Sequence, residues 1–284
     1  MSRNNRRLLA DGIARAIVYA MALLALVPLS LVLLYTVANG LPALTHLDFF
    51  IHVERPVGIP GAGVAHAIVG TAVMVGLASL MSIPVGIIGG VNLVEYGRAR
   101  VASWIRLAAD VLVGTPSIAI GLFVYALLVA PFKHFSGFAG SVALAVLMLP
   151  VVIRATEAAV ALVPGGLREA GLALGLARWR VALQLVLPAA APGVLTGAML
   201  AVARAAGETA PLLFTGFGNR FFTTNPAQPM SALPLIVYHD ALTPYPSLVE
   251  QAWGAALVLI LLTLVVNLAS RYALRRQIAL AGKL

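Results

Sequence analysis

Six long apolar runs decide what this chain can fold into. They fall near residues 14–38, 64–94, 102–130, 138–160, 188–216 and 249–272, each of roughly 20 or more mostly apolar residues and so long enough to cross a bilayer as a helix. Lipid offers the backbone no hydrogen-bond partner, so a span must satisfy its own amides, and the helix does this within one segment. A β-barrel would need short strands of alternating polarity, whereas these runs are apolar on all sides. Composition closes the alternative of a water-soluble domain. The chain is 61% hydrophobic, carries 10% charged residues and has a mean hydropathy of +0.98, against about 25% charged residues in a typical soluble domain. The sequence predicts an all-α polytopic membrane protein with about six transmembrane helices.

Cations are distributed unevenly about these spans. If the N-terminus is inside, the inner side holds Arg3, Arg6, Arg7, Arg15, Arg98, Arg100, Arg106, Arg154, Arg168, Arg178, Arg180, Arg271, Arg275, Arg276 and Lys283, and the outer side only Arg55, Lys133 and Arg220. That bias places both termini in the cytoplasm. The first apolar run is too long for a signal-peptide core and no clear small-x-small cleavage site follows it, so it reads as a retained helix. The predicted organisation is a cytoplasmic tail over 1–13, a first helix and outer loop over 14–63, a membrane core over 64–274 and a second cytoplasmic tail over 275–284. Long outer connections fall at 39–63 and 217–248, and a long inner one at 161–187.

Several chemistries find no support. The chain has no Cys, which removes disulfides, thiolate metal sites and Cys nucleophiles. Neither Lys133 nor Lys283 follows a GxxxxGK[ST] loop, so no ATP site is expected. The histidines His46, His52, His66, His134 and His239 lack metal-ligand spacing and read as interfacial residues of loops and helix ends. No Ser sits in a GxSxG elbow. Nothing points to an enzyme, a bound metal or a resident cofactor.

The inner connection carries the most specific pattern, "REAGLALGLARWRVALQLVLP" over 168–188. Pro164-Gly165-Gly166 breaks the preceding helix. A short helix is expected next, with Glu169 in its first turn, where a carboxylate suits the positive helix end. Gly175 permits a turn, and Pro188 is expected to start the next membrane helix. The pattern resembles the EAA loop of ABC-importer permeases: Glu169-Ala170-Gly171, three residues, Gly175, nine residues, Leu185-Val186-Leu187-Pro188. Gly171 stands where that pattern has its second Ala and Leu185 where it has Ile. Together with "VLVGTPSIAIGLF", "LPVVIRATEAAVALVPGG", "ARAAGETAPLLFTG" and "MSALPLIVYHDA", the loop makes residues 64–274 similar to the PstA family, permeases of phosphate-specific ABC importers.

The resemblance implies a type I importer fold in a bacterial cytoplasmic membrane. It implies a PstC-like permease beside this chain and two PstB-like ATPases below it, holding ATP and Mg. A PstS-like protein would deliver inorganic phosphate from outside. It also implies a coupling role for the loop, with Glu169, Ala170, Gly171, Gly175 and Arg178 at the ATPase; the alternative is an amphipathic loop resting on the lipid headgroups.

Arg204 and Glu208 lie within the fifth apolar run. A charge at mid-bilayer costs about 2.5–3.5 kcal/mol on insertion scales and normally faces a bundle interior or cavity. Four residues apart, the two are expected one turn apart on one helix face, and Gly193 and Gly197 are expected to let neighbouring helices close in. Arg204 either faces a translocation path, its guanidinium fork matching phosphate oxygens, or forms with Glu208 a pair that pins helices. The family resemblance favours the path. Thr209 and Thr215 offer hydroxyls to an anion or bond their own helix carbonyls. Asp110, near the inner end of the third run and before an expected kink at Thr115-Pro116-Ser117, gates or pairs with Arg106 one turn earlier; Asn92 and Glu95 read as interface residues. Competing readings are a permease for another oxyanion such as sulfate or molybdate, a passive anion channel, and an intramembrane enzyme, for which no catalytic set is found.

Overall fold

The computed structural model describes residues 3–97 and 99–281; Arg98 and Lys283, counted above as inner cations, lie outside the described residues, as do the side chains of Arg3, Arg6, Arg271, Arg275 and Arg276. In chain order the helices are α1 (Arg3–Leu44), α2 (Asp48–Ile51), α3 (Ala65–Glu95), α4 (Ala99–Gly114), α5 (Ser117–Val124), α6 (Gly137–Ala161), α7 (Gly165–Ala173), α8 (Arg178–Arg180), α9 (Leu187–Ala206), α10 (Ala210–Thr215), α11 (Leu233–Ala241) and α12 (Pro246–Ala281). Among the described residues five helical segments are long and apolar enough to cross a membrane, and a bent pair makes a sixth.

Two of the six expected spans depart from single straight helices: the third breaks at the kink expected over Thr115-Pro116-Ser117, and the fifth has other bounds than expected. The third bends by 103° between α4 and α5. Pro116 causes the break: it removes an amide donor and drives the residue before it out of the helical region. The Thr115 hydroxyl donates to the Val111 carbonyl (2.7 Å) at the α4 terminus. The fifth span starts earlier and ends earlier than expected. It runs from Arg178 to Ala206, because a π-helical turn over Val181–Val186 joins α8 to α9. Pro188 therefore lies inside a continuous helix, and the wider turn absorbs the donor it lacks. At the other end α9 stops at Ala206, and α10 follows after Gly207–Thr209. Pro211 cannot donate to the Gly207 carbonyl and its ring would clash there, so the helix cannot run through.

The core forms where α6 lies between α3 and α9. Small residues set both spacings. A Cβ on Gly86 would stand 2.6 Å from a Val152 methyl, and one on Gly90 2.5 Å from Thr156 Cβ. On the other flank a Cβ on Gly193 would stand 2.7 Å from Ala159 Cβ, and one on Gly197 would overlap Ala155. The expected close approach at Gly193 and Gly197 is thus present, and its partner is α6. Around it Met74, Leu144, Met148, Val152, Ala201, Ala205 and Leu212 form one buried cluster. The loop before α11 is fastened to this bundle, with the Leu233 amide donating to the Thr71 hydroxyl (2.9 Å) and the Gly137 amide to the Gln228 carbonyl (2.8 Å). Helix α1 stands apart. Most of its apolar length is uncovered by this chain, and it meets α12 near its end, where Tyr35 packs edge-on to Trp253 (5.1 Å) and Gly40 abuts the Trp253 carbonyl.

This packing sets a stability test. Gly197→Val forces a methyl pair into Ala155 and is expected to destabilise the fold by about 1–3 kcal/mol, lowering the melting temperature of the detergent-purified protein. Gly12→Ala, at a position with nothing within 4 Å, is expected to leave it unchanged or slightly raised.

Candidate functional site

Arg204 occupies the last turn of α9, and Glu208 lies beyond that helix, in the break before α10. The expectation of one shared helix face is therefore corrected: the chain turns at Gly207, whose amide donates to the Arg204 carbonyl (3.1 Å). The pair still forms, Arg204 Nε standing 3.5 Å from Glu208 Oε1. That distance is an ion pair at the long limit of a hydrogen bond. Glu208 is largely covered (17% exposed) while Arg204 is half open (50%), so the guanidinium reaches an open surface of this chain with its counter-charge behind it. Leu147, Met148 and Val151 of α6 back the pair. Thr209 caps α10 through its carbonyl, which accepts from the Leu212 amide (3.1 Å). The Thr215 hydroxyl is buried and donates to the Pro211 carbonyl (2.8 Å), its own helix.

A second charged group joins α4 to α6. Arg154 donates through Nε and a terminal nitrogen to both oxygens of Asp110 (2.9 and 2.7 Å) and through its other terminal nitrogen to Glu157 (2.8 Å). Arg106 donates to the remaining Glu157 oxygen (2.5 Å). The expected Arg106–Asp110 pair is thus replaced by two pairs between helices. Both residues face α6, where Arg154 and Glu157 are one turn apart, and a bidentate fork across helices outcompetes a flexible pair along one. Leu147, Val151 and Arg154 recur at helical spacing, so this cluster continues the α6 face that backs Arg204. The R-x-x-E spacing of Arg154 and Glu157 was the available sequence signal.

The loop between α6 and α9 has the expected turn but a shifted start. Pro164 precedes α7, and Glu169 is its fifth residue, so no acid lies in the first turn and the proposed dipole contact is absent. Glu169, Ala170, Gly175 and Arg178 are exposed, whereas Gly171 is buried. A Cβ there would stand 2.7 Å from a Leu185 methyl and 3.0 Å from a Val181 methyl, which fits Gly at a place where the family pattern has Ala. Gly175 has φ +79°, a conformation that glycine adopts without strain. Arg180 stacks over the Trp179 ring (5.2 Å). Arg168, counted in the sequence only as an inner cation, turns inward. It donates to Glu95 at the end of α3 (2.8 Å) and to the carbonyls of Val163 (2.6 Å) and Val160 (2.9 Å).

At the opposite end, a cleft of about 410 Å³ is lined by Glu54, Asn219, Arg220, His239 and Asp240 among others. Arg220 Nε forms an ion pair with Glu54 Oε1 (3.1 Å). Asp240 is buried, and among the described residues its Oδ2 has no hydrogen-bond partner. Burial foremost, and the Glu54 carboxylate after it, push the Asp240 carboxyl up to about 7 against the opposing pull of Arg220. His66 differs from the interfacial histidine expected: it is buried in the first turn of α3.

The Asp240 shift fixes a sign. The unfolded chain releases this proton near 3.8 and the folded one near 7, so the folded state binds more protons between those values and loses stability as pH rises through them. Wild-type melting temperature is expected to decline more steeply from pH 4 to 7 than that of Asp240→Asn; parallel curves would refute the assignment.

Comparison with known proteins agrees with this architecture. Residues 82–278 match the family model of the binding-protein-dependent transport system inner membrane component. The phosphate transport system permease protein PstA of Yersinia pestis is 41% identical over 244 residues, covering 84% of this chain and 81% of the relative. PstA of Mycobacterium leprae is 40% identical over 273 residues, covering 93% and 88%. An inward-facing structure of the MetNI methionine ABC transporter superposes with a TM-score of 0.59 at 20% identity, over 76% of this chain and 94% of that one, which supports the importer-permease fold. The chain belongs to the binding-protein-dependent transport system inner membrane components and, within them, to the PstA permeases.

Proposed function

We propose that this chain is a transmembrane permease subunit of an ATP-driven importer of inorganic phosphate. The observation that carries the reading is its identity of about 40% over most of its length to relatives named phosphate transport system permeases. The arginine distribution sets both termini in the cytoplasm and the loop over 164–188 on that side. There α7 presents Glu169 and Ala170 to solvent, as a segment received by a separate ATPase needs. Two PstB-like ATPase subunits bind ATP and Mg below the loop. A PstC-like permease completes the path, and a PstS-like protein brings phosphate to the opposite face.

Within that path Arg204 is the anion contact. Its guanidinium is half open, and its planar fork matches two phosphate oxygens. Glu208 neutralises it when the path is empty and competes with the anion when the path is filled. That competition limits dwell time. Thr209, half-buried at the break beside Glu208, is placed to offer a hydroxyl to the same anion.

Loss of a charge-assisted contact worth about 1.5–3 kcal/mol corresponds to about 10- to 100-fold. Arg204→Ala is expected to cut phosphate uptake by that factor in assembled complexes, and Arg204→Lys to retain part of it by keeping charge without the fork. Uptake of radiolabelled phosphate in membranes with equal amounts of complex measures both. Near-normal rates in the two variants would remove Arg204 from the path. Glu208→Gln is expected to lower KM and slow turnover together.

A further inference from the structure

Helix α7 is fixed to the bundle at two points, and one has no assigned task. Gly171 seats on Val181 and Leu185, in the π-helical turn that leads into α9. Arg168, one turn before it, makes the other attachment: Nε to the Glu95 carboxylate and the two terminal nitrogens to the carbonyls of Val163 and Val160. Glu95 is the last residue of α3, and Val160 lies in the last turn of α6. A helix C-terminus leaves carbonyls without intrahelical partners and carries partial negative charge, so a guanidinium there is held by both hydrogen bonding and the helix dipole. The side chains of Arg168 and Glu95 are 22% and 13% exposed, which spares the pair much of the solvent screening that weakens surface ion pairs.

The flanks of α7 are built differently. Before it Leu162 and Pro164 are exposed, and after it Gly175 has φ +79° and no neighbour within 4 Å of a Cβ position. A push on the exposed face of α7 would be taken up at these flanks unless a side-chain link carried it inward. We propose that Arg168 is a positioning residue for coupling: its clasp on Glu95 and on the end of α6 makes α7 move as one body with α3 and α6. From α6 the displacement passes to α9, and so to Arg204, through the Ala159–Gly193 and Ala155–Gly197 contacts, where no side chain is left to yield. The inference rests on the reading of α7 as the ATPase dock.

The test uses the complete transporter in proteoliposomes, with its second permease, its ATPase and its binding protein, and reads phosphate accumulated per ATP hydrolysed. In assembled complexes Arg168→Gln is expected to lower that ratio by about tenfold, with ATP hydrolysis within about twofold of wild type. Glu95→Gln, which leaves both carbonyl bonds in place, gives a smaller fall in the same direction. Arg168→Lys, able to reach one acceptor and not three, falls between Arg168→Gln and wild type. A ratio equal to wild type in Arg168→Gln overturns the clasp, even where the yield of complex drops, because a purely structural role changes the amount of transporter and not its coupling. If Arg168→Gln does not assemble, Glu95→Gln decides on the same ratio. Failure of the wild-type complex to accumulate phosphate with ATP would instead sink the functional reading.

Discussion

The close approach of α6 to its two neighbours is the constraint on which the rest of the structure depends. In lipid, apolar side chains gain nothing by leaving solvent for a helix interface, so helices associate through contact area and hydrogen bonds, and small residues let backbones come near. Here Gly86 and Gly90 admit Val152 and Thr156, and Gly193 and Gly197 admit Ala159 and Ala155. One helix is thereby held from both flanks along most of the half that ends at the loop before α7. Substituents on α3 and α9 are then fixed relative to α6, and the charged groups of α4 that pair with Arg154 and Glu157 take their geometry from that arrangement.

The charges follow the same economy. Asp110, Arg154, Glu157 and Arg106 share one network between α4 and α6, and Arg168 meets Glu95. Opposite charges cancel locally, which is the condition for keeping them in or near an apolar medium. Arg204 departs from this pattern in degree. Its contact with Glu208 is the longest among the arginine–carboxylate pairs of the described residues, and its side chain is far more open than its partner. Arg204 is thus the most loosely paired of the arginines that meet a carboxylate among the described residues.

Sequence reasoning served where the signal was local and periodic. The apolar runs located the membrane helices because length and polarity alone decide insertion, and Pro164 and Gly175 located the break and the turn of the inner loop, because proline interrupts a helix and glycine adopts φ +79° without strain. It failed where two elements had to be weighed together. Arg106 and Asp110 looked like partners because only their own helix was visible, and α6 offered each a better one. The helix end at Ala206 was missed because apolar composition continues across it while Pro211 stops the backbone pattern. Glu169 was placed a turn too early because α7 starts at Gly165, at the first residue that Pro164 allows. Asp240 gave no signal at all: a carboxyl in "LPLIVYHDALTPYP" becomes unusual only once the fold buries it beside Glu54.

The break at Gly207–Thr209 changes what the Arg204–Glu208 pair can be. Along an unbroken helix the two would keep a fixed spacing, and any movement of α9 would carry both. With Glu208 past the helix end, its position depends on α10 as well, and α10 packs against α5 and α6. Motion between α9 and α10 therefore alters the distance between the guanidinium and its counter-charge, and the attraction between charges falls with separation most steeply where water is scarce. The same proline that ends the helix early makes the charge pair adjustable. A site whose affinity changes with helix geometry is what alternating access requires: the motion that opens one side must also loosen the grip on what is carried. On the proposed reading of Arg204 as the anion contact, the break between two charges four residues apart supplies that change.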